Sequence, residues 1–368
     1  MFQNFIGLLV LLTAFTPQSK ASETVSSNRT LTWGGFIDGQ YAFDFNNPPN
    51  GDRSFSTQPA RSNEFNINLA FIEAKLETEK TRSRFALQAG TSVQSNYSSE
   101  PSRGSVSGPS LSRHIQEARI GYAISKSTWI DAGIFFAHVG SESWISKDNL
   151  VLTRSLVADY SPYYLSGVKL THVLSERVTL QLLVVNGWQN VSENNSDKTI
   201  GTGIEYVSDS WSVAYNTLVG REVSPDLNGT PRSSESRNFH NLIFKNRGSA
   251  HWEWITQFDF GFQKKPTSSG ESQWSGASIM GRYAINSEQK LSIRAESFQD
   301  LDQSVLVTNT ANGFDGFGGS LGFDQSLEEG ILWRTEIKYL KATHDVFPKE
   351  SGFARENWTA TTSWALSF

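Results

Sequence analysis

The chain is 368 residues long, with 38% hydrophobic and 19% charged residues, 45 aromatics (24 Phe, 11 Trp, 10 Tyr), two Met, no Cys and a formal net charge of −5. Both fractions fall below the roughly 45–50% apolar and 25% charged of ordinary domains, while negative mean hydropathy and the lack of any apolar run of about 18 residues after residue 21 exclude a helical membrane protein. Without Cys there can be no disulfide, thiolate metal site, Cys nucleophile or lipoprotein anchor, and without a basic patch nothing points to nucleic acid.

Residues 5–15 form an apolar run too short to span a bilayer and suited to the core of a signal peptide. Helix-breaking Pro17 follows, and Ser19 and Ala21 are small residues placed for cleavage before Ser22. The expected organisation is a signal peptide at 1–21 and a single barrel domain at 22–368; the alternative for the first segment is a buried helix. No Pro-rich linker, charge block or composition shift divides the remainder.

From residue 31 onward the pattern has period two, which sends alternate side chains to opposite faces of a strand. It predicts sixteen strands near residues 31–45, 63–77, 83–94, 113–124, 128–139, 164–174, 177–187, 199–207, 210–221, 237–245, 250–263, 273–284, 289–299, 313–323, 330–341 and 355–368. The second changes phase between Phe71 and Ile72, as a β-bulge would make it do. Connections alternate in length. Short ones lie near residues 79–82, 125–127, 174–177 and 208–209, whereas 46–62, 95–112, 140–163, 222–236 and 342–354 are long and rich in Ser, Asn, Gly and Pro. This sorting predicts an all-β, antiparallel up-and-down transmembrane barrel, with short periplasmic turns and long extracellular loops.

Ionisable residues recur in mid-strand on the phase opposite the apolar one: Asp38, Arg119, Asp131, Lys169, Arg282, Arg294, Glu296, Arg334, Glu336 and Lys338. A dry core would not tolerate them. Facing water they are admissible, and barrels of about 16 to 18 strands leave an aqueous channel, so these ten are the expected pore lining. Tyr41, Phe43, Phe45, Trp211, Trp252, Trp274, Trp333, Trp358 and Trp364 fall near strand ends, where interfacial girdles lie. A soluble two-sheet protein with a Trp-rich core would explain the alternation but not charge on the polar phase beside sorted loops. Trp364, Leu366 and Phe368, alternating on the last strand, resemble the signal read by barrel-assembly machinery.

Catalytic motifs are absent: no G-x-S-x-G, H-E-x-x-H, P-loop or G-x-G-x-x-G occurs. The six His are scattered, and the Asn- and Pro-rich run at 44–52 lacks the spacing of a calcium loop. No enzyme activity, metal or cofactor is expected.

Several segments resemble the OmpL-like β-barrel porin family of Gram-negative outer membranes. The opening Gly34-Gly35-Phe36-Ile37-Asp38-Gly39 and its continuation to Asn46, Asn63-Glu64-Phe65-Asn66, Asp131-Ala132-Gly133-Ile134-Phe135, Gly140-Ser141-Glu142-Ser143, Thr153-Arg154-Ser155-Leu156, residues 161–169 and Val185-Asn186-Gly187-Trp188 are similar in order and spacing. The resemblance implies an outer-membrane channel and supplies no catalytic residues. The expected function is a water-filled porin for passive diffusion of small hydrophilic solutes and ions. The alternative is a non-conducting barrel serving as adhesin, structural partner or outer-membrane enzyme. Its expected partners are outer-membrane lipid and lipopolysaccharide, the assembly machinery and the solutes themselves.

The loop at 140–163, with Glu142, Asp148, Arg154 and Asp159, is the expected constriction; the alternative is a solvated surface loop. The ten lumen-phase charges comprise six basic and four acidic groups, so weak selectivity is expected despite the acidic balance.

Overall fold

The computed structural model describes residues 29–225, 231–246, 249, 251–265 and 269–368; the expected signal peptide lies outside them. Sixteen antiparallel strands close into one barrel. They are β1 Thr30–Asp44, β2 Glu64–Glu77, β3 Thr81–Ala89, β4 Ile115–Ser125, β5 Thr128–Phe136, β6 Tyr164–Ser175, β7 Val178–Val185, β8 Thr199–Val207, β9 Trp211–Pro225, β10 Pro231–Asn246, β11 Trp252–Lys264, β12 Glu271–Ala284, β13 Gln289–Asp300, β14 Phe314–Glu328, β15 Ile331–Ala342 and β16 Glu356–Ser367. The seam pairs β1 with β16 from Phe36↔Ser367 to Asp44↔Thr359. Closure gives every strand two neighbours, which a sheet in hydrocarbon requires.

One phase of each strand points outward. Phe65, Trp33, Ile120 and Leu321 are among the large apolar side chains exposed there, as a lipid-facing surface demands. Aromatics gather at both rims of this surface. Tyr41 packs on Phe65 and Tyr339 on Trp358 at one rim (4.7 and 4.6 Å); Trp252 stacks on Trp254 and Trp333 lies beside Trp364 at the other (5.3 and 6.5 Å). Such paired girdles mark the two membrane interfaces. Trp274 does not belong to them. It is buried on the inner face, its indole lying where a Cβ on its pairing partner Gly261 would be.

Elsewhere the structure shifts the expected details. The bulge in β2 falls at Asn68, between the pairs Asp38↔Leu69 and Gly39↔Ile67, so Leu69 and Phe71 face inward and Ile72 outward. Strand β3 stops at Ala89 because Gly90, at φ 143°, turns the chain where a Cβ would lie 2.2 Å from the Asn68 carbonyl; a short helix, Thr91–Asn96, follows inside the rim. Much of the expected loop at 222–236 is strand, since pairing of β9 with β10 continues through Arg221↔Ser236 to Val223↔Ser234. Two further long connections, 186–198 and 301–313, lie on the long-loop rim, whereas β9 joins β10 and β11 joins β12 within five and six residues.

At the seam, the Phe368 ring lies over Gly35, where an added Cβ would be 2.2 Å from the ring. Gly35→Val meets only the far end of this exposed ring, which can swing aside; Gly133→Val, at φ 124° with its Cβ 2.0 Å from the Ala118 carbonyl, strikes backbone instead, a strain of about 1–3 kcal/mol. The heat-modifiable mobility shift of folded Gly133→Val should therefore occur at lower temperature. Gly39→Ala, whose nearest neighbour would be the Trp364 carbonyl at 3.8 Å, should leave it unchanged.

Candidate functional site

The connection between β5 and β6, residues 137–163, does not sit on the surface. It folds into the barrel, and Leu150, Val151, Leu152, Leu156 and Val157 are buried there. An irregular segment inside a barrel carries backbone groups that no ladder satisfies. The wall supplies their partners, and the sign of each wall charge matches the group it meets. Glu336 accepts from the Thr153 N–H and hydroxyl at 2.6 and 2.8 Å, and Glu296 from the Leu156 N–H at 2.6 Å. Arg294 donates to the Thr153 carbonyl at 2.6 Å, Lys338 to that of Arg154 at 3.0 Å, and Arg334 to those of Ser146, Asn149 and Leu150 at 2.6, 3.2 and 3.2 Å. Asp38 accepts from the Ser146 hydroxyl at 2.8 Å. Uncharged side chains do the same across the barrel, where Asn241 and Gln257 accept from the Gly140 and Ser141 N–H groups.

The wall groups also satisfy one another. Arg294 pairs with Glu296 and Glu336 at 3.0 Å each, Lys338 with Glu296 at 3.1 Å, and Arg334 grips Asp324 bidentately at 2.7 and 3.0 Å. Six of the ten expected pore-lining residues, Asp38, Arg294, Glu296, Arg334, Glu336 and Lys338, thus face inward but are sealed beneath the loop. They do not line open water, because their charge is engaged in fixing backbone.

The other four occupy different ground. Arg119 and Arg82 converge on buried Asp131, at 3.2 and 2.8 Å, and Lys169 lies 4.7 Å over the Phe135 ring. Arg282 pairs with Glu253 at the short-turn rim. Around this group stand residues that sequence reasoning missed. Arg84 pairs with Glu73 at 2.5 Å and with Glu117, and Lys75 pairs with Glu73 at 2.7 Å. Arg82 and Arg84 alternate in sequence and carried the same lumen-phase signal as the others, and so did Glu73 and Lys75, which alternate with Ile72, Ala74 and Leu76 after the change of phase. On this wall, formed by β2 to β6, the side chains of Lys75, Arg82 and Arg119 keep 45%, 30% and 24% of their surface open. Arg294 and Arg334 on the β13 and β15 side keep none.

Of the loop residues, Asp148 is exposed beside Lys147 and within electrostatic reach of Arg84 and Lys75. The side chains of Glu142, Arg154 and Asp159 are buried. Glu142 accepts from the Ser155 N–H and hydroxyl, and burial raises its pKa. Arg154 is brought down to about 10 by the same cause, and Asp159 accepts from the Thr57 hydroxyl at 2.5 Å and the Tyr163 hydroxyl at 3.1 Å. Beyond the loop toward the long-loop rim, Phe55, Phe314 and Phe347 meet at ring distances of 5.2 to 6.1 Å inside the barrel.

A closed sixteen-stranded barrel with a lipid-facing surface, two aromatic rims and a charged interior crossed by an inward loop is the architecture of an outer-membrane porin. The chain belongs to the family described as "Putative beta-barrel porin-2, OmpL-like", whose model matches residues 30–368. It is an integral outer-membrane protein. Among solved structures it is similar to OmpT of Vibrio cholerae, an outer membrane protein in trimer form (8% identity, 92% of this chain and 99% of that one, TM-score 0.60). It is likewise similar to the outer membrane channel DcaP of Acinetobacter baumannii (10%, 92% and 97%, 0.60) and the anion-selective porin of Comamonas acidovorans (8%, 92% and 100%, 0.57). At these identities the likeness is one of fold. No curated protein matches the sequence.

Proposed function

We propose that the protein is a passive diffusion channel for small hydrophilic solutes, not an enzyme, and that its narrowest passage runs between the tip of the inward loop and the wall of β2 to β6. The observation that carries this reading is the asymmetry of the interior charges. Those on β13 and β15 are buried against the loop, whereas Lys75, Arg82 and Arg119 remain open opposite Lys147 and Asp148. The long-loop rim is then extracellular and bordered by lipopolysaccharide. Residues 1–21 serve as a signal peptide removed on export, and Trp364, Leu366 and Phe368, which point outward on and just after β16, form the segment read by the assembly machinery.

Charge along the passage is mixed, with Glu73, Glu117, Asp131 and Asp148 interleaved among the basic groups, so opposed fields largely cancel within a Debye length of about 8 Å. Reversal potentials across a salt gradient should give a cation-to-anion permeability ratio within about threefold of unity. A ratio of about ten or more favouring cations would show that acidic groups elsewhere govern permeation.

A second reading has its own observation. The loop reaches from Asp38 on β1 to Asn241 on β10, and the Phe55, Phe314 and Phe347 cluster fills the barrel above it, which favours a non-conducting barrel with a structural or adhesive role. Purified protein in planar bilayers distinguishes the two. Stepwise conductance is the expected result, and a folded barrel giving none would leave the second reading standing.

A further inference from the structure

On the open wall of the passage the register brings four inward positions into one row: Arg82 on β3 pairs with Gly121 on β4, Gly121 with Asp131 on β5, and Asp131 with Lys169 on β6. Gly121 carries no side chain, so Arg82 reaches across it to grip Asp131 through Nε at 2.8 Å and through Nη2. The next row toward the long-loop rim runs from Arg119 to Gly133 and Gly167. These two glycines leave their places empty, and Lys169 extends past them to set Nζ 4.7 Å over the Phe135 ring. Arg119 donates from Nη1 to the same Asp131 at 3.2 Å.

Three cations thus share one carboxylate. The nearest other acids do not make up the difference. Glu117 is held by Arg84 and lies 3.6 Å from Arg119 Nε, Glu73 is divided between Arg84 and Lys75, and Glu77, beside Arg82 in register, stands exposed at the short-turn rim. Asp148 on the loop lies within electrostatic reach of Arg84 and Lys75 instead. Arg82 Nη1, Arg119 Nη2 and Lys169 Nζ are left without a hydrogen-bond or ion-pair partner among the described residues. All three face the lumen: the Arg82 and Arg119 side chains are 30% and 24% open, Lys169 is half-buried, and none of the three nitrogens is sealed from solvent. Hydrogen bonds from such charged donors to oxyanions are about twice as strong as neutral ones. A monovalent ion crossing the passage meets fields that largely offset one another. A dianion can engage two or three of these donors at once, with twice the attraction to each.

Relying on the channel reading only for the route by which solute arrives, we propose that Arg82, Arg119 and Lys169 form a binding site for a small dianionic oxyanion on its way through the passage. Lys169 supplies the uncommitted charge. The two arginines, fixed by Asp131 and, for Arg82, by stacking 4.4 Å over the Trp129 ring, present their free nitrogens from set positions. Asp131 positions the donors and does not touch the ligand.

Isothermal titration of the refolded, detergent-solubilised full-length barrel with sodium sulfate, at low and constant ionic strength, should give saturable binding. Methanesulfonate, which has the same tetrahedral shape and one charge fewer, should bind at least about tenfold more weakly. Lys169→Gln should weaken sulfate binding at least about tenfold. Arg119→Gln, which leaves Asp131 paired with Arg82, provides an independent loss should Lys169→Gln fail to fold, and heat-modifiable mobility reports folding in each case. Lys75→Gln removes the same charge from the same wall, at a place where Glu73 already engages it, and should cost less than about threefold. Absence of saturable sulfate binding to the folded protein, equal binding of methanesulfonate, wild-type affinity in folded Lys169→Gln and Arg119→Gln, or a loss in Lys75→Gln equal to that in Lys169→Gln would overturn the proposal. Conductance of the same preparation separates the two claims: a conducting barrel that does not bind loses the oxyanion site alone, and a binding barrel that does not conduct loses the channel alone.

Discussion

Removing residues 144–158 should raise single-channel conductance by about twofold or more while leaving ion selectivity close to that of the parent. These residues supply most of the loop's contacts with β13 and β15, including the Ser146, Thr153 and Leu156 backbone groups held by Arg334, Glu336 and Glu296. Without them, seven wall charges now sealed become lumen-facing: Asp38, Glu296, Asp324 and Glu336 against Arg294, Arg334 and Lys338. Four acidic against three basic groups, interleaved in ion pairs, add only one net charge, so the passage widens without acquiring a strong ionic preference. Planar-bilayer recording of a variant shown to be folded by heat-modifiable mobility measures both quantities. A folded variant with parental conductance would show that the loop is not the restriction.

Arg294→Ala should be among the most damaging single substitutions in the barrel interior. The guanidinium bridges Glu296 and Glu336, lies 3.9 Å from Glu142 and donates to the Thr153 carbonyl. Its removal leaves three buried carboxylates and one backbone acceptor short of a partner. Breaking a buried ion pair from one side costs about 3–5 kcal/mol, so the loop should become sensitive to protease at temperatures where the parent resists, and the temperature of the mobility shift should fall. Lys341→Ala is the comparison. Lys341 and its partner Glu356 are both nearly half exposed, and loss of such a solvent-screened pair costs little. Equal effects of the two substitutions would mean that the Arg294 network does not secure the loop.

The barrel was legible because its physics is local and repetitive. A strand in lipid must alternate apolar with polar side chains, so each of the sixteen strands announced itself independently, and the length of most connections revealed their rim, the short joins from β9 to β10 and β11 to β12 being the exceptions. Errors arose where a local signal had two physical readings. The change of phase in β2 was visible from Phe65 to Leu76, but alternation alone could not place the extra residue at Asn68, because Leu69 and Phe71 suit the inner and outer faces alike. Trp274 near a strand end looked like a girdle residue; only pairing with Gly261, which leaves room for an indole on the inner face, sends it inside. Residues 83–94 kept strand-like alternation beyond Ala89, while the conformation of Gly90 turned the chain.

The sequence by itself determined the class of protein, its membrane and the face to which most strand residues point, because periodicity and the solvent preference of side chains need no knowledge of distant partners. The interior was decided by tertiary structure alone. Nothing in the spacing of Arg294, Arg334, Glu336 and Lys338 indicates that they hold the carbonyl and N–H groups of a loop 141 to 188 residues earlier, nor that Asp148 would stay exposed while Arg154 and Trp144 are buried together. Those outcomes depend on which backbone groups the inward loop leaves unsatisfied and which wall charges lie within hydrogen-bond reach of them, a geometric relation that exists only once the barrel has closed.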